Sequence, residues 1–91
     1  MATHDYRTIS KLDCPHLNEL NPAQHSDKTA CETCGETRNL RLCMTCGHVG
    51  CCESLGAHDT EHHRATTHPF IRPHRCDYEW LWCYDCGAFL A

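Results

Sequence analysis

The 91-residue sequence predicts an α+β fold, a small zinc-stapled domain with a short twisted antiparallel sheet and one or two short helices. Three observations lead to this prediction. Leucine, isoleucine, valine and phenylalanine together number only 13 residues, too few to hold a domain together by hydrophobic burial alone. The chain contains 10 cysteines and 9 histidines. Three cysteine pairs have the spacing CxxC, and each pair is followed by glycine.

In the first half of the chain, the pattern of polar and apolar residues predicts one strand between polar segments. Residues 1–12 are polar and are expected to form a flexible N-terminal segment, so that the folded domain spans 13–91. Asn, Pro, Ser and Asp occur together in residues 18–30, which is typical of a surface loop. The alternating sequence NLRLC predicts a short strand in residues 39–43.

The second half predicts a helix followed by two strands. A helix of two to three turns is expected within residues 54–67, because Ser54 is a suitable N-cap and no proline follows until Pro69. Strands are expected in HPFIRPH, residues 68–74, and in YEWLWCY, residues 78–84.

The composition favours a reducing compartment, and we expect a cytoplasmic protein. Asp5, Arg7 and Lys11 interrupt the first residues, where a signal peptide would need an apolar run. No stretch is long enough to span a membrane, so no membrane partner is expected. In a reducing compartment, clustered Cys and His indicate bound metal. The net charge of −4 argues against nucleic acid, since phosphate binding depends on Lys and Arg. A monomer is expected.

Twelve side chains have spacings suited to tetrahedral metal sites. Two ligands on one tight turn supply half of a four-ligand site, although a single CxxC alone could also be a redox motif. The pairs are Cys31 with Cys34, Cys43 with Cys46, Cys83 with Cys86, and Cys14 with His16. The other ligands are Cys51, His58, either His62 or His63, and His68. Together these residues would close three four-ligand sites, which is the pattern of structural zinc.

One motif offers a catalytic alternative. His58, Glu61 and His62 spell HxxEH, the signature of a class of zinc peptidases. If both histidines bound one catalytic zinc, the remaining ligands would lack partners to complete their own sites. Such peptidases also need a third ligand, a substrate cleft and a longer chain. We therefore predict structural zinc and no catalytic residues.

The order of these ligands resembles that of the ubiquitin-specific-protease-type zinc finger, ZnF-UBP, over residues 14–86. The resemblance implies three interleaved zinc ions, with His62 preferred to His63 because the family places this ligand four residues after the preceding histidine. The implied sites are Cys14, His16, Cys83 and Cys86; Cys31, Cys34, Cys51 and His58; and Cys43, Cys46, His62 and His68.

The resemblance also implies a peptide-binding pocket beside the last CxxC pair. In members that bind ubiquitin, aromatic walls and an arginine receive the free C-terminal Gly-Gly tail. Trp82 and Tyr84 match two aromatic positions. Glu53 stands where these members carry arginine, and Arg41 stands where they carry tryptophan. Weakened or lost binding of the ubiquitin tail is therefore expected, because Glu53 would face the tail's carboxylate.

Two hypotheses follow for this altered pocket. Arg41 and Glu53 could face one another and close or reshape it, or Arg41 could bind the C-terminal carboxylate of a different partner. Trp80 would share one strand face with Trp82 and Tyr84.

The sequence thus indicates a stand-alone zinc-binding interaction module that recognises a peptide or protein C-terminus. Zinc storage or sensing is the alternative, and it predicts exchangeable metal. Two cysteines and five histidines fall outside the twelve ligands, one of these histidines being whichever of His62 and His63 is not a ligand. Cys52 and Cys76 are expected to be small structural residues, with Cys52 also a possible alternative ligand or redox-sensitive thiol. Surface positions are expected for His4, His25, His48 and His74.

Overall fold

The computed structural model describes residues 7–91, which form one six-stranded sheet and one α-helix. The strands are β1 Arg7–Ile9, β2 Leu40–Cys43, β3 Val49–Cys51, β4 Phe70–His74, β5 Trp82–Cys83 and β6 Ala88–Leu90; helix α1 is His58–Thr66. Two single 3₁₀ turns, Lys11–Asp13 and Leu17–Glu19, follow β1. The predicted α+β class is confirmed. No helix within residues 7–91 has the length and apolar character needed to cross a membrane.

The strand order across the sheet is β1-β6-β5-β4-β2-β3. Every neighbouring pair is antiparallel except β1 with β6, which run parallel. Strands β2 and β3 form a hairpin with Leu42 opposite Val49, and the second CxxC turn lies in the connection between them. Strand β4 pairs with the other edge of β2. The hairpin therefore places one pair of ligands at the end of the central strands.

Local pattern predicted some of these strands and missed others. The strands expected in residues 39–43 and 68–74 are present as β2 and β4, whereas the strand expected over residues 78–84 is limited to the two residues of β5. Strands β1, β3 and β6 were not predicted. Each has only three residues, too few to show an alternating pattern.

The described part of the N-terminal segment is attached to the C-terminal end of the chain. Residues 1–6 of the segment expected to be flexible lie outside the described residues. Strand β1 is part of the sheet, and Ala91 donates its backbone N–H to Ile9 at 2.9 Å. The Arg7 guanidinium also donates to the carbonyl of Cys86 at 2.8 Å. Residues 7–9 of the segment expected to be flexible are therefore part of the sheet.

Helix α1 lies within the expected range 54–67 and has the expected two to three turns, but Ser54 is not its N-cap. Ala57 adopts a left-handed conformation, with φ of 55°, directly before the first helical residue. The hydroxyl of Ser54 does not cap the helix and lies 2.9 Å from the Cys52 sulfur. Thr67, with φ of 64°, ends the helix and donates its N–H to the carbonyl of His63.

Helix α1 lies directly against strand β3, and Gly50 permits this contact. A Cβ atom at Gly50 would be 2.8 Å from the backbone nitrogen of Asp59 and 2.9 Å from the carbonyl carbon of His58. Real Cβ atoms do not approach backbone that closely, because packed interiors leave no room to relieve such a clash. Glycine at position 50 therefore determines how close the helix comes to the sheet.

The buried core is small and includes many of the metal-ligating cysteines. Its apolar part consists mainly of Leu40, Leu42, Val49 and Phe70, each at most 3 % exposed. Five cysteines of the predicted sites are buried with them: Cys14, Cys31, Cys43, Cys51 and Cys83. The buried ligand cysteines thus fill part of the core, a space that larger aliphatic side chains fill in larger domains.

Candidate metal centres and the adjoining aromatic pocket

The structure gathers the twelve predicted ligands into three groups of four. In each group all donor atoms lie within 4.8 Å of one another. The groups are cluster 1, Cys14, His16, Cys83 and Cys86; cluster 2, Cys31, Cys34, Cys51 and His58; and cluster 3, Cys43, Cys46, His62 and His68. Each cluster combines ligands from distant parts of the chain, so metal binding would join these parts together.

The distances in cluster 1 fit a tetrahedral zinc ion. Zinc bonds of about 2.3 Å to sulfur and about 2.0 Å to nitrogen place ligand atoms roughly 3.5–3.8 Å apart. The Cys14 sulfur lies 3.9 Å from that of Cys83 and 3.6 Å from that of Cys86. Nδ1 of His16 lies 3.7, 3.6 and 3.5 Å from the sulfurs of Cys14, Cys83 and Cys86. These are the edges of a ligand tetrahedron, and sulfurs so far apart form no disulfide.

The raised pKa of the Cys83 thiol indicates that cluster 1 needs a bound cation. Burial raises the pKa of the Cys83 thiol to about 12, and contacts with the neighbouring thiols of Cys86 and Cys14 act in the same direction. Without a positive charge, several thiolates would not form together in this space. A divalent metal supplies that charge and binds the deprotonated sulfurs.

Cluster 2 shows the same spacing. Nδ1 of His58 lies 3.2 Å from the Cys51 sulfur and 3.5 Å from the Cys31 sulfur, and the sulfurs of Cys34 and Cys51 are 3.9 Å apart. Gly56 passes close to these ligands: a Cβ atom there would lie 2.8 Å from Cε1 of His58 and 3.0 Å from the Cys51 sulfur. Glycine at this position therefore leaves the space that the ligands occupy.

Backbone groups prepare one sulfur of cluster 2 for metal binding. Burial opposes ionisation of the Cys31 thiol, but hydrogen bonds from the backbone of Cys34, Thr33 and Cys51 outweigh it and lower its pKa to about 6. The tight turn of a CxxC pair directs its N–H groups towards the first sulfur. The turn thus favours the thiolate form, which is the form that binds zinc.

Cluster 3 places His62, not His63, among the ligands. Nε2 of His62 lies 3.3 Å from the Cys46 sulfur, and Nδ1 of His68 lies 3.7 Å from the Cys43 sulfur. His63 instead places Nε2 3.1 Å from Oδ1 of Asp85 and stacks on the Tyr84 ring, with centroids 4.5 Å apart.

The two histidines of the HxxEH motif belong to different clusters. His58 is a member of cluster 2 and His62 is a member of cluster 3. Glu61, which would activate water in a peptidase, is exposed on the helix surface. Consecutive turns of α1 therefore supply two neighbouring structural sites.

The cysteines and histidines outside the clusters have varied surroundings. Cys52 is buried and Cys76 is exposed. His25 is exposed, as expected, whereas His4 lies outside the described residues. The surface position expected for His74 is wrong, because the residue is only 8 % exposed and Nε2 lies 2.7 Å from the carbonyl oxygen of Lys28.

His48 is also not a free surface residue. Its half-buried ring stacks on His62 at a centroid distance of 4.0 Å and an interplanar angle of 5°. It therefore supports a ligand of cluster 3 from outside. The residues next to His48 in the sequence do not indicate that its ring stacks on His62.

A pocket of about 370 Å³ opens beside cluster 1, and we name it the aromatic pocket. It contains all four residues that the resemblance placed in a peptide site. Its lining residues are Arg41, Glu53, Ile71, Trp80, Trp82, Tyr84 and Phe89. Phe89 and Ile71 were not predicted. Phe89 enters the wall because β5 pairs with β6 in a register that sets it opposite Trp82, a long-range pairing without a local signal.

Arg41 is held against one wall of the aromatic pocket. Its guanidinium carbon lies 4.8 Å from the centroid of the Trp80 ring, a cation–π contact. Nη1 also donates to the carbonyl of Leu40 at 3.2 Å. No ion pair of the described residues includes Arg41 or Glu53. The hypothesis that Arg41 pairs with Glu53 and closes the pocket is therefore not what the structure shows.

Tyr84 and Asp59 form a polar layer at the back of the aromatic pocket. The Tyr84 hydroxyl lies 3.3 Å from Oγ1 of Thr60, and burial raises its pKa far above the ordinary value, so the phenol is neutral. Burial, together with the charge of Glu53, raises the pKa of Asp59 to about 6. Oδ2 of Asp59 has no hydrogen-bond partner within residues 7–91. The arginine of the pocket therefore faces surroundings that are mainly acidic or neutral.

The chain matches the model of the family described as the zinc finger in ubiquitin-hydrolases and other proteins, over residues 31–91. The match covers well over half of the sequence, and it includes all of clusters 2 and 3. The protein therefore belongs to the UBP-type zinc-finger family. The resemblance found in the order of its ligands is confirmed.

Curated relatives carry this domain within much longer proteins. The chain is 36 % identical over 90 residues to the NAD-dependent deacetylase sir2A of Dictyostelium discoideum, covering 90 % of the chain and 17 % of the relative. It is 31 % identical over 87 residues to ubiquitin carboxyl-terminal hydrolase 14 of Saccharomyces cerevisiae, covering 80 % and 11 %. It is 30 % identical over 57 residues to the human BRCA1-associated protein, covering 63 % and 10 %. The chain thus spans 10–17 % of the length of these relatives.

A solved structure shares the fold. The solution NMR structure of a protein from Rhodopseudomonas palustris aligns with a TM-score of 0.71 and 36 % sequence identity, covering 85 % of this chain and 79 % of that chain. That protein and this chain are therefore similar in size as well as in fold.

Proposed function

We propose that this UBP-type zinc finger is a non-catalytic interaction module whose aromatic pocket binds the free C-terminus of a peptide or protein. The observation that carries the proposal is Arg41, held on the Trp80 ring at the wall of an open pocket with no ion pair of 4 Å or less to any carboxylate within residues 7–91. A positive charge fixed in this way is a site for an anion from outside the chain.

The chemistry of arginine favours a carboxylate as that anion. A guanidinium carries five N–H donors in one plane, and it binds both oxygens of a carboxylate at once. In Arg41 the Leu40 carbonyl engages Nη1, and the Trp80 ring covers one face of the group. The orientation of the guanidinium is therefore fixed before a ligand arrives, which reduces the entropy lost on binding.

The size of the aromatic pocket favours a narrow chain end. About 370 Å³ is near the lower end of the range of ligand pockets, roughly 300–1,000 Å³. Aromatic side chains form most of its wall. Such a pocket fits a short extended tail that ends in small residues, and it is too small for the side of a folded domain.

The ubiquitin tail is a poor fit for this pocket. Glu53 lines it, and the family members that bind ubiquitin carry arginine there. A carboxylate entering beside Glu53 is repelled, so we infer weak binding of a tail that relies on that position.

Closed metal sites support a binding role over catalysis or storage. Each cluster supplies four ligands, so zinc bound there has no open position for water or substrate. Zinc in such sites exchanges slowly, whereas a storage protein needs metal that leaves readily. The many thiolate ligands favour a reducing compartment such as the cytoplasm.

Calorimetry with a pair of peptides tests the proposed function. The pentapeptide Ser-Ala-Lys-Gly-Gly would be titrated into the zinc-loaded chain with its C-terminus free and, separately, amidated. We expect only the free acid to bind well, and Arg41→Gln to weaken it by about 30-fold or more, since loss of a buried charge partner costs roughly 2–5 kcal/mol. The control is Arg38→Gln, because Arg38 is exposed and pairs with Glu36 outside the pocket.

Either of two results would contradict the proposed function. If the amidated peptide bound as tightly as the free acid, or if Arg41→Gln bound as tightly as Arg38→Gln, the aromatic pocket would not be a carboxylate site.

A further inference from the structure

We propose that His48 is a positioning residue for cluster 3, and that its ring, stacked on His62, determines how firmly this site retains its zinc. This role is separate from the proposed function, since it holds whatever ligand the aromatic pocket binds. His48 is not one of the twelve ligands, yet it contacts two of them, His62 through its ring and Cys43 through its backbone.

Cluster 3 is the least protected of the three metal sites found within residues 7–91. One of its four ligands, Cys43, is buried, whereas clusters 1 and 2 have two buried ligands each. Cys46 is exposed. Cluster 3 also contains two cysteines where the other clusters contain three, so it offers a divalent ion one negative charge fewer. The zinc of cluster 3 therefore depends most on how well its ligands are held.

His62 presents the ring nitrogen that lies farther from its backbone. Its Nε2 lies 3.3 Å from the Cys46 sulfur. The other ligand histidines present Nδ1, the nitrogen bonded to the carbon that joins the ring to the rest of the side chain; they are His16, His58 and His68. Because Nε2 lies on the far side of the ring, a small rotation of the His62 side chain carries it away from the metal position.

The other ring nitrogen of His62, Nδ1, has no hydrogen-bond partner within residues 7–91. A histidine that binds metal almost always donates this second N–H to a carboxylate, a carbonyl group or water, which fixes the orientation of the ring. The flat face of His48 supplies the support that no protein group gives to Nδ1. The two rings are nearly parallel, with an interplanar angle of 5° and centroids 4.0 Å apart.

The hairpin formed by β2 and β3 holds His48 in place. Its carbonyl accepts the N–H of Cys43 at 2.8 Å, and the next residue, Val49, is fully buried in β3. The half-buried ring of His48 therefore extends from a fixed backbone. It connects the hairpin, which carries the cysteines of cluster 3, to helix α1, which carries His62.

Competition with a chromophoric zinc chelator tests this role. Loss of a group that orients a metal ligand lowers metal affinity by about 10–100-fold. We expect His48→Ala to transfer one of its three zinc ions at a chelator concentration about 10–100-fold lower than the native chain requires. The other two ions should leave as they do from the native chain. Native mass spectrometry would count the zinc ions that remain on each chain.

Alkylation with iodoacetamide at this point of the titration identifies the emptied site. Cys43 and Cys46 should react once zinc has left cluster 3, while the ligand cysteines of clusters 1 and 2 stay protected. Cys76 is exposed and belongs to no cluster, so it should react throughout and serve as an internal standard.

Two further variants separate stacking from bulk. His48→Phe keeps a flat ring that cannot bind metal, and it should retain zinc within a few-fold of the native chain. His48→Leu has no flat face, and it should release zinc as His48→Ala does. Comparison of Phe with Leu therefore decides the question even if His48→Ala does not fold. The matched control is His63→Ala, which removes a ring stacked on Tyr84 and not on a ligand, and it should keep all three ions.

Three results would overturn the proposal. The first is native zinc affinity in both His48→Ala and His48→Leu. The second is equal loss of zinc from His48→Phe and His48→Leu, which would show that a stacked ring is not what retains the metal. The third is equal weakening of all three sites, which would mean that His48 acts on the whole fold and not on cluster 3.

Discussion

The adjacent residues His62 and His63 show how direction on a helix determines which side chain binds metal. Successive residues of a helix point about 100° apart, so only one of two neighbours faces a given site. His62 faces the Cys46 sulfur, and the His48 ring supports it from the other side. His63 faces Tyr84 and Asp85. One of the two histidines is thus placed to complete cluster 3, and the other to support a wall of the aromatic pocket.

Substitution of each histidine tests this difference. His62→Ala removes a ligand of cluster 3, so native mass spectrometry should find no more than two zinc ions per chain. His63→Ala, the matched control, should retain three. Loss of zinc from His63→Ala with retention in His62→Ala would show that the ligand assignment is reversed.

The sequence could predict individual ligands far better than their surroundings. CxxC pairs are local patterns that identify their own chemistry, and the order of the ligands then implied which pairs share an ion. The environment of His74 could not be predicted, because its bond to Lys28 joins residues 46 positions apart. The contact between His48 and His62 is another product of the folded chain.

At the level of elements, the contact between helix α1 and strand β3 connects two of the metal clusters. Strand β3 ends with Cys51, and α1 begins with His58, so both supply ligands to cluster 2. One turn further along, α1 supplies His62 to cluster 3. The close approach at Gly50 therefore fixes the position of the helix relative to both sites.

Gly50→Ala tests the importance of this contact. The added methyl group would lie 2.8 Å from the backbone of Asp59, so strand and helix must separate. We expect the zinc-loaded variant to lose about 1–3 kcal/mol of unfolding free energy, measured by urea denaturation. Thr29→Ala, at an exposed loop position, should have little effect. An unchanged urea midpoint for Gly50→Ala would mean that α1 can move freely on the sheet.

The shortest elements were beyond prediction for a physical reason. A three-residue strand acquires its structure from its partner, and β1 pairs with β6 across about 80 positions of the chain. The longer strands β2 and β4 carried enough alternation to be recognised. Helix α1 could be predicted in position but not in its first residue, because the left-handed turn at Ala57 delays its start.

At the scale of the whole molecule, metal binding compensates for a small hydrophobic core. Structural zinc contributes apparent binding free energies of about 10–16 kcal/mol per site, whereas small domains have a net stability of about 5–15 kcal/mol. Cluster 1 joins Cys14 to Cys83 and Cys86, near the two ends of the domain. Clusters 2 and 3 join the central hairpin to α1 and to His68. The aromatic pocket is therefore built on a frame that depends on metal.

Zinc content measured together with folding is the most direct test of this account. Native mass spectrometry of the reduced protein should find three zinc ions per chain, and removal of zinc by a strong chelator should abolish the circular dichroism spectrum of the folded domain. Restoring zinc should restore the spectrum. A chain that carried one ion, or that kept its folded spectrum after all zinc was removed, would contradict the claim that three closed metal sites hold this fold together.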